Sequence, residues 1–258
     1  MTWRGYLMFK NLTTFQQRTV TALALISLVL LVGLIDSYFL IWLFLGVISL
    51  LAFHEAMQLF KIVSFVAYLW FALLWNIAYF YPSTHLFFFI AIVLASSLAY
   101  FQHIEKSLIL PFLYPFSSML FILVLYAEYS IKVLLWLLVL VAITDTGAYI
   151  VGKTIGKTKF SDTSPNKTLE GLFGGILLAT FLGTYIGTLT VPFWTALPVT
   201  FIAATASVFG DLFESYLKRE AGVKNSGNIL PGHGGVLDRI DGYLFAAPMM
   251  LITLQALI

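Results

Sequence analysis

The run Val133-Leu-Leu-Trp-Leu-Leu-Val-Leu-Val-Ala-Ile-Thr-Asp145-Thr-Gly-Ala-Tyr-Ile-Val151 is apolar along its whole length except for one carboxylate. It is long enough for a helix to cross the hydrocarbon core of a bilayer, which takes about 20 residues. Comparable runs occupy about Val20–Ile35, Tyr38–Phe53, Ile62–Phe80, Leu86–Phe101, Leu108–Ala127, Gly171–Val191, Phe193–Phe209 and Tyr243–Ile258. Together they predict an all-α polytopic membrane protein with about nine transmembrane helices. Several runs are short enough to be tilted or partly re-entrant.

Composition agrees. Of 258 residues, 60% are hydrophobic and only 10% charged, and the mean hydropathy is +0.96. A water-soluble chain of this size carries about 25% charge, so a secreted or cytosolic enzyme is excluded. The first run begins only at Val20, has no small-residue cleavage site and is followed by many others, which reads as a span rather than a cleaved signal. With no cysteine, disulfides, thiolate metal sites and thiol catalysis are excluded, and a net charge of +2 points away from nucleic acid.

The placement of charge predicts orientation through the positive-inside rule. With the N-terminus cytoplasmic and nine spans, the cytoplasmic segments hold Arg4, Lys10, Arg18, Lys61, Lys106, Lys153, Lys157, Lys159, Lys167, Lys218, Arg219, Lys224 and Arg239. Of the 14 basic residues only Lys132 then falls outside. One span more or fewer would exchange the sides of everything downstream, so the C-terminus is expected on the opposite face. Most charges lie from Asp145 onward, in the segments Gly152–Glu170 and Gly210–Gly242. Residues 1–130 therefore read as N-terminal transmembrane helices with no recognisable site. Residues 131–258 read as C-terminal helices with cytoplasmic catalytic loops, in one continuous bundle.

Gly147-Ala-Tyr-Ile-Val-Gly152-Lys153-Thr154 fits the P-loop pattern. It occupies the apolar tail of a membrane helix, with no strand before it, so it is set aside and only Lys153 is kept as a phosphate contact. Asp145 is costly inside a span and marks a site or a structural anchor. Ser164-Pro-Asn-Lys167-Thr-Leu-Glu170-Gly171 joins a turn to a helix start and reads equally as capping. Gly171, Gly175, Ala179, Gly183 and Gly187 form a small-residue ridge for close helix packing. Its partner lies either in the same chain or in a second copy, which leaves a homodimer among the expected assemblies.

On a helix, Ser207, Asp211, Ser215 and Lys218 share one face, with Glu214 beside them. Beyond Gly222 the helical pattern stops, and Pro231-Gly232-His233-Gly234-Gly235 leads into Asp238-Arg239-Ile-Asp241. Loop amides and a helix start cradle anions, yet Asp238 and Asp241 would repel a phosphate. Mg²⁺ resolves the conflict, since it is held by one or two carboxylates together with substrate phosphates. This pattern favours metal-assisted phosphoryl or nucleotidyl transfer at a membrane surface.

At Ser215, Lys218-Arg219, Lys224, Gly232-His233-Gly234-Gly235 and Asp238-Arg239-Ile-Asp241, the chain resembles the phosphatidate cytidylyltransferases, or CDP-diacylglycerol synthases. The blocks around Asp145 and Lys167 resemble family blocks too, so the likeness covers roughly the C-terminal half. One departure is Asn225, where the family has aspartate. The resemblance implies that CTP and phosphatidic acid give CDP-diacylglycerol and pyrophosphate in phospholipid biosynthesis. It implies Mg²⁺, as one ion or two, on Asp211, Asp238 and Asp241, and phosphates on Lys218, Arg219 and Arg239. The glycine loop Gly232, His233, Gly234 and Gly235 is expected to bind nucleotide or pyrophosphate, joined by Ser215 and Lys224. Lys167 is a further phosphate contact and Asp145 a polar anchor. A CTP-dependent lipid kinase and an ion or substrate transporter are the competing readings.

Overall fold

The computed structural model describes residues 14–100 and 106–258, so Arg4, Lys10 and Phe101, named above, lie outside the described residues. Among the described residues the chain forms nine helices. They are α1 (Thr14–Ile35), α2 (Tyr38–Leu59), α3 (Phe65–Phe80), α4 (His85–Tyr100), α5 (Ile109–Tyr129), α6 (Ile131–Ile155), α7 (Leu169–Gly187), α8 (Phe193–Glu220) and α9 (Leu237–Leu257). The only β-type pairing among these residues is two isolated bridges, Lys159 with Thr168 and Leu230 with Gly234.

Seven of these helices are long and apolar enough to cross a membrane, whereas α3 and α4 have 16 residues each. At about 1.5 Å per residue, each of those two spans roughly 24 Å, short of the roughly 30 Å hydrocarbon core. Because α3 and α4 are consecutive, the side on which every later segment emerges does not depend on whether that pair crosses.

Lipid offers no hydrogen bonds, so polar groups within the bundle must satisfy one another. Trp42 and Trp75 do this reciprocally, each indole N–H donating to the other's backbone carbonyl, at 3.0 and 3.3 Å. Below them an aromatic cluster joins α2, α3 and α5: Phe53 meets Phe112 edge-on at 4.9 Å and Phe71 meets Phe116 at 5.1 Å. The start of α5 widens into a π-turn over Phe112–Phe116, with Pro115 inside it. Proline has no N–H to give to the preceding turn, and Ser117 Oγ donates back to Phe112 O at 2.7 Å.

In the C-terminal half, α6 packs along α7 and α8 along α9. The small-residue ridge of α7 finds its partners within the same chain. A Cβ on Gly171 or Gly175 would run into the α6 backbone at Ala148 and Thr144, and one on Gly187 would meet Trp136. The opposite face of α7 exposes Phe173, Leu177, Phe181 and Tyr185, as suits a face turned to lipid. On α8, a Cβ on Gly210 would strike the Asp241 carbonyl. The two helices therefore touch backbone to backbone, and that contact sets Asp211 beside Asp241.

Candidate active site

The C-terminal ends of α6 and α8, the N-terminal ends of α7 and α9 and the two polar loops converge at one end of the bundle. Lys167, in the loop before α7, pairs with Asp211 on α8. Its loop folds back on itself, with Phe160 N donating to Lys167 O and Leu169 N to Thr158 O, both at 2.9 Å. Thr168 caps α7 by accepting from Gly171 N at 3.2 Å, and Glu170 accepts from Lys157 N, Thr158 N and Thr158 Oγ1. Glu170 thus locks the loop, and the capping reading of this block holds. Lys153 lies over the Tyr149 ring, 5.7 Å from its centroid.

On α8, Lys218 bridges two carboxylates, Glu214 one turn back and Asp238 at 2.7 Å on α9. The other Asp238 oxygen accepts from Ser226 N at 3.0 Å and Gly235 N at 2.8 Å. Both oxygens of Asp238 are therefore engaged in tying the glycine loop to α8. Asp211 Oδ1 accepts from Ser215 Oγ at 3.4 Å, and Asp241 Oδ1 accepts from Gly242 N at 2.8 Å.

Five carboxylates, Asp145, Asp211, Glu214, Asp238 and Asp241, share this region with Lys167, Lys218 and Arg239, each interacting electrostatically with others of the group. The cluster carries more negative than positive formal charge. Arg219, Lys224 and Arg239 are exposed at its rim, with Arg219 Nη1 donating to Val223 O at 3.3 Å. Among the described residues, no three His, Asp or Glu side chains are grouped to hold a metal ion by themselves.

The glycine loop is held from several directions. Gly232 and Gly234 adopt φ of 75° and 90°, a region that side chains with a Cβ rarely enter. Leu230 N donates to Gly234 O and His233 N to Leu230 O, both at 2.9 Å. His233 Nδ1 is buried without a partner. From α1, Arg18 Nε donates to Gly232 O at 3.0 Å and Thr21 Oγ1 to Pro231 O at 3.1 Å.

A family model described as "Cytidylyltransferase family" matches residues 16–257. The chain belongs to the cytidylyltransferase family. It is 44% identical over 247 residues to a phosphatidate cytidylyltransferase of Helicobacter pylori, covering 94% of this chain and 92% of that protein. To the same enzyme from a second H. pylori strain it is 44% identical over 236 residues, covering 90% and 89%. The phosphatidate cytidylyltransferase of Bacillus subtilis matches at 44% over 131 residues, 49% of each chain.

In this cytidylyltransferase-family chain, part of the candidate site comes from helices whose sequence carries no site motif. Glu55, on α2 and 1% exposed, accepts from Val236 N at 2.9 Å, Leu237 N at 2.8 Å and Ser226 Oγ at 2.9 Å. It is the N-terminal cap of α9, supplied across the bundle, and a carboxylate there also faces the positive end of the helix dipole. Ser226 completes the knot by accepting from Asp238 N at 3.3 Å. A Cβ on Gly227 or Gly235 would strike Glu55. One signal could have flagged Glu55, namely its position as a lone acid at the end of an apolar run.

Asn225 lies beside Gly234, on the exposed side of this knot. A charge there faces water, where repulsion from Asp238 is screened. Asn225→Asp is expected to keep CTP-dependent turnover within about threefold, a change of well under 1.4 kcal/mol. Loss of most activity in that variant would assign the position a part in the chemistry.

Proposed function

We propose that this chain joins CTP to phosphatidic acid at the membrane surface, forming CDP-diacylglycerol and releasing pyrophosphate. The observation that carries the reading is 44% identity along 94% of the chain to a phosphatidate cytidylyltransferase, with Lys218, Asp238 and the glycine loop drawn into one knot. In the reaction an oxygen of the lipid phosphate attacks the α-phosphorus of CTP. The bond from that phosphorus to the oxygen bridging toward the β-phosphorus breaks, and pyrophosphate departs with the electron pair. A phosphate monoester, with a second pKa near about 6, is already anionic at neutral pH, so no strong general base is required. The chain's task is alignment and charge compensation.

Lys167, Lys218, Arg219 and Arg239 are assigned to substrate phosphates, with Ser215, Lys224 and the glycine loop at the nucleotide. The surplus of carboxylates would repel CTP unless a cation intervened. The donor set suits hydrated Mg²⁺, which needs only one or two carboxylates when phosphates supply the remaining ligands. Asp241, which accepts only from Gly242 N, and Asp211, which accepts from Lys167 and at 3.4 Å from Ser215, are the residues that would hold it, whereas Asp238 accepts from Lys218, Ser226 N and Gly235 N and is committed to the loop. When bound, the ion supplies neutralisation of charge building on the pyrophosphate. Asp145 anchors the cluster from α6.

The basic residues favour an orientation with the N-terminus and the site on the cytoplasmic face of the cell membrane. There the lipid keeps its acyl chains in the bilayer while its phosphate meets CTP from water, and the rim cations attract anionic lipid. The test uses purified protein with phosphatidic acid vesicles, Mg²⁺ and CTP labelled at either the α- or the γ-phosphorus. Label from the α-position in lipid, with pyrophosphate released, is expected. Label from the γ-position in lipid would indicate a kinase, and absence of turnover would favour a transporter.

A further inference from the structure

Tyr114, within the π-turn of α5, is wedged edge-on against Phe213 and Phe245, at 5.0 and 6.1 Å between ring centroids. Phe213 stands on α8 between Asp211 and Glu214, and Phe245 lies one turn beyond Asp241 on α9. Tyr114 is 6% exposed, and its hydroxyl is buried with no hydrogen-bond partner. A second orphan belongs to the same cluster. Glu214 is fully buried, accepts from Lys218 Nζ at Oε2 and leaves Oε1 unpartnered. Of the carboxylates around the phenol, Asp241 acts on it most strongly, followed by Glu214, Asp211 and Asp238.

A donor without an acceptor and an acceptor without a donor, both shut off from water, each leave a free-energy penalty unrelieved. Lys218 is shared between Glu214 and Asp238, and phosphates of an entering nucleotide compete for it. Once Lys218 turns to a phosphate, Glu214 is a buried carboxylate stripped of its counter-charge and must gain either a donor or a proton.

We propose that Tyr114 is a positioning residue: its O–H donates to Glu214 Oε1 when Lys218 leaves for a substrate phosphate, so that the lysine is released at low cost. Tyr114 lies in a π-turn, and such turns recur at functional sites. The inference rests on the assignment of Lys218 to a substrate phosphate made above.

Tyr114→Phe keeps the ring and removes the donor. In the full-length protein the KM for CTP is expected to rise about tenfold, the scale of one hydrogen bond to a charged group, with kcat much less affected. In a Glu214→Gln background the same change is expected to raise KM by less than about twofold, because no carboxylate remains to be compensated. An unaltered KM in Tyr114→Phe, or a tenfold rise that persists beside Glu214→Gln, would overturn the proposal. Lys218→Met separates the two levels. If it leaves the KM for CTP unchanged, the phosphate assignment fails and the proposal with it. If it raises KM while Tyr114→Phe does not, only the proposal for Tyr114 fails.

Discussion

Glu55→Ala is expected to lower turnover by at least about 100-fold, although the residue lies on α2, far in sequence from the loop it serves. Its carboxylate takes Val236 N, Leu237 N and Ser226 Oγ, and each hydrogen bond to a charged group contributes about 1.5–3 kcal/mol. Alanine leaves two buried backbone donors and a hydroxyl without an acceptor, and opens space against Gly227 and Gly235. The start of α9 then loses its cap, and Asp238 and Asp241 lose their placement relative to Lys218. Part of the cost falls on stability, about 1–3 kcal/mol for each buried group left unsatisfied, readable as a lower unfolding midpoint in detergent. Glu55→Gln is the sharper probe. Its carbonyl can serve one set of donors, but its amide N–H₂ meets the other as donor against donor. An intermediate loss of about tenfold in turnover is expected, with faster amide exchange at 236 and 237. Wild-type turnover in Glu55→Ala would show that the loop holds its shape without α2.

The helices were legible because apolar runs of membrane length have few alternatives, and each of the nine runs overlaps a helix of the structure. Their polar ends are legible from side-chain spacing rather than from hydropathy. The apolar runs stop at Phe209 and begin again at Tyr243, whereas the face shared by Ser207, Asp211, Ser215 and Lys218 and the pair Asp238 and Asp241 extend the helices past those limits, as α8 to Glu220 and α9 from Leu237 do. The candidate site was legible where chemistry resides in side chains with local spacing, as in Lys218-Arg219 and Asp238-Arg239-Ile-Asp241. It was hidden where one partner is backbone. Glu55 binds amides, which have no sequence signature, and Tyr114 resembles any aromatic residue of an apolar run until its hydroxyl is seen without a partner. The glycine ridge was recognisable as a packing face, but only the fold shows that α6 and α8 occupy it.

Asp238 and Asp241, three residues apart on one helix, are expected to fail in different ways. On the proposed assignment of Mg²⁺ to Asp211 and Asp241, Asp241→Asn should raise the Mg²⁺ concentration for half-maximal activity by about 100-fold or more. That is at or beyond the upper end of what losing a metal ligand's hydrogen-bond partner costs. Direct titration with Mn²⁺ in the absence of substrate should weaken in parallel. Asp238→Asn acts on the protein itself. If its carbonyl keeps Ser226 N and Gly235 N, its amide N–H₂ confronts the Lys218 ammonium, which then rests on Glu214 alone and is misdirected for phosphate. Turnover should fall about 10- to 100-fold, a loss of roughly 1.4–2.7 kcal/mol in transition-state binding, while the Mg²⁺ requirement and Mn²⁺ affinity stay close to wild type. The reverse pattern, with metal affinity lost in Asp238→Asn and kept in Asp241→Asn, would mean that the loop opens on binding and frees Asp238 from Ser226 and Gly235. The metal would then be held at the glycine loop rather than where α8 and α9 cross at Gly210.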